Sequence, residues 1–414
     1  MPRFLPRQTS ASPSVRIGAS RPLAPVVALS VPRSESIHPV FCHFTLSHAE
    51  LKSRTFHRLC LSLVANGFDV RYLSPASIEG PYSGMHHVRL PRLSGRLRQM
   101  LSWPQLLAAL LRQRPALYHF QDPELLPVAL LLKIIFRKRV LYDAYEDFPS
   151  MALQSSRVPP WLRRAAFLVV AAAERLAARH FDGILTADPI TLRRLARNGR
   201  SRKMVLYNFP NLDFFPAPAK KSGPKEFDLV YRGGLSERAG TYVLLEALHI
   251  LQQQGSVVRL LLIGYSDSFS AEAQLRETIR SLGIENSTQI FGRIPHEQMA
   301  SALSRACIGI SPLLSTPKFE INIPVKVFEY WACGLPVIAS DLRPMRPFFR
   351  SANAGLLVPP GDSHSLALAI LWMLGHPADA ARMGRAGRVA IENRFNNCSE
   401  AARFSRFCRR IIAA

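Results

Sequence analysis

Two periodicities alternate along this chain. Short apolar runs such as "PVFCHFTL", "FDVRYLS", "ALYHF", "KRVLYDAY", "GILTAD" and "KMVLYN" read as strands. Between them, apolar residues return every three or four positions, as in "RTFHRLCLSLVANG", Trp103–Gln113, "PELLPVALLLKIIF" and Pro160–His180, and these read as helices. The alternation pauses over Asn208–Phe227, a proline-rich and charged stretch that reads as an interdomain linker. It then restarts with "DLVYRGGLSERAGTYVLLEALHIL", a strand, glycine turn and helix. "VVRLLLIG", "TQIFG", "IGISPL", "PVIAS" and "AGLLVP" follow as further strands. Apolar strands separated by helices predict parallel sheets wrapped on both faces, in two doubly wound halves. Ligands of such sheets sit at the carboxyl ends of the strands. There the chain places His119, Gln121 and Asp122 after one strand, and Asp143, Tyr145, Glu146 and Asp147 after another. Two such halves suggest a site in the cleft between them.

Composition narrows the class. At 414 residues and 48% hydrophobic, the chain can bury two ordinary cores. Lys and Arg outnumber Asp and Glu by 53 to 29, which implies anionic partners. No zinc-finger, RNP-type or homeodomain pattern accompanies the charge, which argues against nucleic acid. The six cysteines are scattered without a C-x-x-C pair, so they read as small buried residues in a reducing compartment. "LLPVALLLKII" and "AAFLVVAAAERLAARH" fall short of the roughly 20 apolar residues that a membrane span needs. Residues 1–36 are rich in Pro, Ser and Arg, with no acid before Glu35. They suit a transit peptide or a disordered basic arm, and an unstructured extension is the preferred reading.

The most specific stretch is "EINIPVKVFEYWACGLPVIASD". Pro324 suits the first turn of a helix closed by Gly334, with Val325, Phe328 and Ala332 toward the core. Lys326 and Glu329, three apart, share a face. A lysine at a helix N-terminus is a ready site for a diphosphate, and a carboxylate one turn on can accept hydrogen bonds from a ribose diol. An ordinary i,i+3 ion pair accounts for the same spacing. The turn "YRGGLSERAG" lets backbone approach a ligand at Gly233 and Gly234, with Arg232 or Arg238 at hand for phosphate; taken alone, it reads better as a tight strand–helix turn, and Lys326 and Glu329 give it the ligand reading. Walker-type and G-x-G-x-x-G loops are absent, which disfavours kinases, GTPases and simple dehydrogenases.

"PVKVFEYWACGLPVIASD" resembles the donor-binding segment of the family 4 (group 1) glycosyltransferases. "YHFQDPELLPVALLLK", "VLYDAYEDFP", "YRGGLSERAG" and "SRTFHRLCLSLVANGFDVRYLS" resemble segments of the branch that builds bacterial surface polysaccharides. The likeness runs over residues 38–400 and implies an α/β GT-B fold, two doubly wound Rossmann-like domains facing across a cleft. The organisation it implies starts with a disordered basic tail over 1–36, then an acceptor-side domain over 37–208 and a linker over 209–226. A donor-binding domain over 227–390 follows, and a C-terminal helix over 391–414 packs back on the first domain.

The resemblance implies retaining, metal-independent transfer of a sugar from a nucleotide-diphosphate sugar to a glycan or lipid-linked acceptor, with no cofactor. Glu329 would hold the ribose, with Gly233, Gly234, Val325 and Arg293 completing the donor-binding set. Lys326 and Arg238 would neutralise the leaving diphosphate, where charge develops in the transition state. Three departures stand out. Ile321 occupies the place of the first of two paired glutamates, leaving Glu320 one residue off. Ala239 directly precedes Gly240, with Arg238 one earlier. Tyr145 stands where a histidine belongs beside the donor sugar, and tyrosine cannot carry a proton near pH 7 as imidazole does. Two alternatives therefore stay open: a GT-B sugar-nucleotide epimerase, and a catalytically weak sugar-nucleotide binder. The expected location is cytoplasmic, with "WLRRAAFLVVAAAERLAARH" either touching the inner face of the membrane or lying as a buried helix with a solvated basic face.

Overall fold

The computed structural model describes residues 38–46, 54–75, 85–91, 96–154, 158–195, 201–217 and 225–414. The expected tail and part of the expected linker lie outside them. Residues 38–414 form one compact unit.

Its first sheet is all parallel, in the order β3-β2-β1-β4-β5-β6-β7. The strands are β1 (Val40–Phe44), β2 (Asp69–Ser74), β3 (Met85–Arg89), β4 (Leu117–Phe120), β5 (Val140–Ala144), β6 (Gly183–Thr186) and β7 (Arg202–Val205). The central strands β4, β5 and β6 are buried along their whole length, which is why their sequences are continuous apolar runs rather than alternating ones. The edge strand β3, "MHHVR", is half exposed and carries two histidines, so no apolar run announced it.

The second sheet is also all parallel, in the order β10-β9-β8-β11-β12-β13. It is built from β8 (Phe227–Gly234), β9 (Leu260–Tyr265), β10 (Thr288–Phe291), β11 (Ala306–Ser311), β12 (Val337–Ser340) and β13 (Gly355–Val358). One face packs on the helices Thr241–Gln253 and Ser363–Gly375, through Leu244, Leu248, Leu366 and Ile370. The other packs on Val325–Ala332 and Pro377–Asn393, through Val327, Phe328, Trp331 and Ile391. In both sheets the strand order reverses at the middle, beside β1/β4 and β8/β11, so crevices open at those carboxyl ends.

The last helix, Asn397–Ile412, returns to the first sheet. Phe404, Cys408 and Ile411 share a core with Phe41, Leu117 and Leu141. Asn397 donates its N–H to Pro210 (3.0 Å) and Glu400 accepts from the Tyr207 N–H (2.9 Å), tying the helix to the chain between the sheets. The six cysteines are all free, but Cys398 is exposed and Cys307 half-buried, so the expectation of small buried residues holds for only four. Among the described residues no helix is long and apolar enough to cross a membrane.

Candidate functional site

The end of β8 and the start of the Val325–Ala332 helix converge. β8 finishes as Arg232-Gly233-Gly234, with Gly233 opposite Gly264 and Gly234 opposite Tyr265 on β9. Gly233 has φ +147°, and a Cβ there would lie 2.9 Å from the Lys326 Nζ, so a lysine and a backbone turn share space that only glycine leaves. Pro324 precedes the helix and Lys326 sits in its first turn. Every residue from Lys326 to Ala332 is buried, because the helix is sandwiched between the sheet and the Pro377–Asn393 helix.

Lys326 and Glu329 do share a face but do not pair with each other. The Lys326 ammonium lies over the ring of Tyr231, 4.1 Å from its centroid. Glu329, 1% exposed, instead meets Arg232 at 3.1 Å. That contact is a charge pair without an aligned hydrogen bond, because the Glu329 Oε2 has no hydrogen-bond partner. The Arg232 backbone N–H donates to the Tyr330 hydroxyl (2.8 Å), which in turn donates to the Ile310 carbonyl (3.2 Å). The Tyr231 hydroxyl donates to the Gly234 carbonyl (2.8 Å), fixing the glycine turn.

Burial holds the Lys326 ammonium down to about pKa 7; neighbouring Arg232 pushes the same way, and Glu329 opposes. His296, whose own pKa is lowered by burial and raised by Glu329, also lies within the field of Arg232 and Arg58. The cluster is thus a buried carboxylate with two cations beside it, at a helix N-terminus and a strand's carboxyl end. Such an arrangement attracts a compact polyanion and leaves the carboxylate free to accept hydroxyl hydrogen bonds.

Other expected residues stand elsewhere. Arg238 reaches Asp267 at 3.3 Å, both exposed, and the arginine standing in the cluster is Arg232. Its position directly before Gly233-Gly234 was the available signal. Arg293 stacks over Tyr265, 4.4 Å from the ring centroid, beside the Gly234 register position. Val325 opens the helix and is half-buried. Glu320 accepts from the Ser315 hydroxyl (2.6 Å) within the turn that precedes Pro324. The chain reading had no signal for His296 or Arg58, which approach from distant segments.

Tyr145 follows β5 on the first sheet and packs edge-on against Phe148, centroids 5.6 Å apart. Its neighbour Glu146 lies 3.9 Å from Lys318, in the same turn of the second sheet's domain as Glu320. Glu146, Asp147 and Ser150 line a small pocket with Lys318 and Asn322, so the Tyr145 loop and the Glu320 turn face each other. The first-sheet polar residues are turned inward: Gln121 donates to Asp143 (2.7 Å), His119 bonds His43 (2.9 Å), and Thr45 donates to Asp122.

Two glycines of the turn differ sharply. Gly240 has φ +73°, and a Cβ there would lie 1.6 Å from the Pro312 carbonyl oxygen; a Cβ on Gly234 meets nothing within 4 Å. Gly240→Ala is expected to destabilise by roughly 2–4 kcal/mol, strain and clash adding, while Gly234→Ala leaves urea-unfolding midpoints nearly unchanged.

A glycosyl transferase 4-like domain model matches residues 53–208, and a model described as glycosyl transferases group 1 matches residues 226–376; together they take in about three quarters of the chain. Over 163 residues the chain is 33% identical to the amylovoran biosynthesis glycosyltransferase AmsK of Erwinia amylovora, covering 39% of each chain. Over 154 residues it is 32% identical to a phosphatidyl-myo-inositol mannosyltransferase of Mycobacterium leprae, covering 37% of this chain and 38% of that one. The matched stretches thus span about two fifths of these relatives. Sucrose-phosphate synthase from Thermosynechococcus elongatus superposes with a TM-score of 0.71 at 22% identity, covering 91% of this chain and 99% of that one. Anabaena HepE in complex with UDP-glucose superposes with a TM-score of 0.69 at 15% identity, covering 90% and 100%. At such identities the likeness is one of fold, two parallel α/β domains of the GT-B kind.

Proposed function

The chain belongs to the group 1 glycosyltransferases, and from that premise we propose that it moves a sugar from a nucleotide-diphosphate sugar to a polysaccharide or lipid-linked glycan. The transfer proceeds with retention at the anomeric carbon and without a metal ion. The observation that carries this reading is the cluster of buried Lys326 and Glu329 with half-buried Arg232, beside the Gly233-Gly234 turn. Lys326 and Arg232 face the diphosphate, and their charge counts for most as negative charge grows on the leaving oxygen. Glu329 accepts from the ribose hydroxyls. Tyr145, on the opposing loop, donates to a hydroxyl of the donor sugar.

The long helix Arg163–Ala178 supports a contact with the membrane. Its outward side carries Leu168, Val169 and Leu176 in the open, and Trp161 just before it is 79% exposed. A solvated basic face would not display such residues; they suit an interface where apolar side chains enter the headgroup layer and the adjoining arginines meet anionic lipid. The reading places the chain at the inner face of the cell membrane.

The direct test is a thermal-shift panel with UDP, GDP, ADP, TDP and CMP, run on the wild type and on Lys326→Ala and Glu329→Ala. A diphosphate at 100 times its dissociation constant stabilises by about 2.7 kcal/mol. A shift with one base, lost in both variants, identifies the donor nucleotide; no shift with any base removes the donor site. A second reading, a sugar-nucleotide binder with little turnover, draws on Tyr145 in the place of histidine. It predicts a nucleotide-dependent shift with no transfer, unaltered in Tyr145→His.

A further inference from the structure

We propose that a groove on the first domain holds the hydrocarbon chain of a phosphate-linked lipid acceptor; this rests on the transferase reading above and specifies its acceptor. The groove runs between the helices Leu126–Ile134 and Arg163–Ala178 and under Trp103, with walls that include Leu46, Met100, Leu126, Leu130 and Leu176. It holds about 470 Å³ of accessible space and is open to solvent at its mouth. One end is marked by Asp122 and Glu124, directly after β4, where the carboxyl ends of the strands meet the cleft.

Three observations select a lipid as occupant. The walls are almost wholly apolar, so they offer a hydrocarbon chain burial and offer a peptide backbone little to bond. The apolar lining continues onto open surface: Leu131 and Ile134 extend the stripe from Leu130, and Leu168 and Val169 extend it from Leu176 toward Trp161. Since Arg163–Ala178 leads into β6 of a parallel sheet, its amino-terminal half points toward the strands' carboxyl ends. Finally, the exposed charged residues on and at the end of the flanking helices include Arg98, Arg164, Arg175 and Arg179, complementary to phosphate and set against the exposed carboxylate of Glu124. A second copy of the chain would set these arginines against one another.

The test uses the full chain carrying Trp161→Phe and Trp372→Phe, which leaves Trp103 in the groove wall and Trp331 buried in the second domain. The probe is dodecyl phosphate brominated at its terminal carbon, held below micelle formation. Bromine reaching the groove quenches Trp103. Ala173→Phe fills the groove from its exposed wall and Leu176→Glu places a charge there; each is expected to weaken the half-saturation of quenching by at least about tenfold. Leu368→Glu, exposed on the second domain and apart from the groove and its apolar stripe, leaves quenching intact. Absence of quenching, or quenching undiminished in both groove variants, overturns the proposal. Stabilisation by the nucleoside diphosphates is measured on the same samples. If it persists while quenching is absent, only the groove assignment fails; if it is absent too, the transferase reading fails with it.

Discussion

Replacing Lys326 with methionine is expected to lower kcat/KM for sugar transfer by about 10²–10³, the range seen when one preorganised charge or donor is removed from a developing anion. The same substitution is expected to raise the melting temperature. The wild-type ammonium is buried against Tyr231 and beside Arg232, and burial holds its pKa at about 7 instead of 10.5. The folded protein therefore binds fewer protons than the unfolded chain between those values, so wild-type stability rises with pH across that window. Below pH 7 the folded state carries the full cost of a buried cation, and methionine removes it. The gain in the variant should be several degrees at pH 6 and vanish near pH 10, which calorimetry at the two pH values reads directly. The site also predicts its own ligand linkage. A diphosphate favours the charged lysine, so binding at pH 8 should take up a proton, seen by titration calorimetry in buffers of different ionisation enthalpy. A pH-independent stability gap between wild type and methionine variant would mean that the ammonium is already neutralised by something else.

Arg194→Ala is expected to cost about 3–5 kcal/mol, the usual consequence of stripping one partner from a buried ion pair. Arg194 binds Glu174 at 2.8 Å and Asp147 at 3.2 Å, and Glu174 is wholly buried, accepting also from the Tyr142 hydroxyl at 2.6 Å. Burial already raises the Glu174 pKa, and Arg194 is the largest influence lowering it. Without the arginine, the carboxyl would be pushed further up. A raised folded-state pKa gives stability that is present at low pH and lost as pH rises through that pKa. The variant should therefore lie closest to wild type near pH 4–5 and fall furthest behind at pH 8 in urea titrations. Activity should suffer as well, because Asp147 and its hydrogen bond from Ser150 shape the loop that carries Tyr145. A variant that loses stability equally at pH 5 and pH 8 would show that Glu174 is not the group left exposed to the deficit.

The strands were legible because a parallel sheet covered on both faces demands nearly continuous apolar runs, and "LYHF", "VLYDA" and "VIAS" are such runs with one buried polar residue each. β3 escaped because an edge strand has fewer faces to bury and can keep polar residues, here His86 and His87. In the site, Lys326 and Glu329 were visible through local spacing, a property of one helix. Their partners were not: Arg232 meets Glu329 from another strand, and His296 enters their field from the segment after β10. The glycine turn offered both Arg232 and Arg238, with Arg238 preferred for the leaving diphosphate; Arg238 looks outward to Asp267.

The sequence by itself determined the two sheets, the glycine turn, the helix with its lysine and carboxylate, and the excess of positive charge, because each follows from neighbours within a turn or a strand. Only the tertiary structure decided that Lys326 faces an aromatic ring rather than Glu329, that Arg232 and not Arg238 stands beside Glu329, and that the outward side of Arg163–Ala178 shows Leu168, Val169 and Leu176 among its arginines. Those outcomes depend on which surfaces distant segments bury, and burial sets both the charge a lysine can hold and the apolar surface left open.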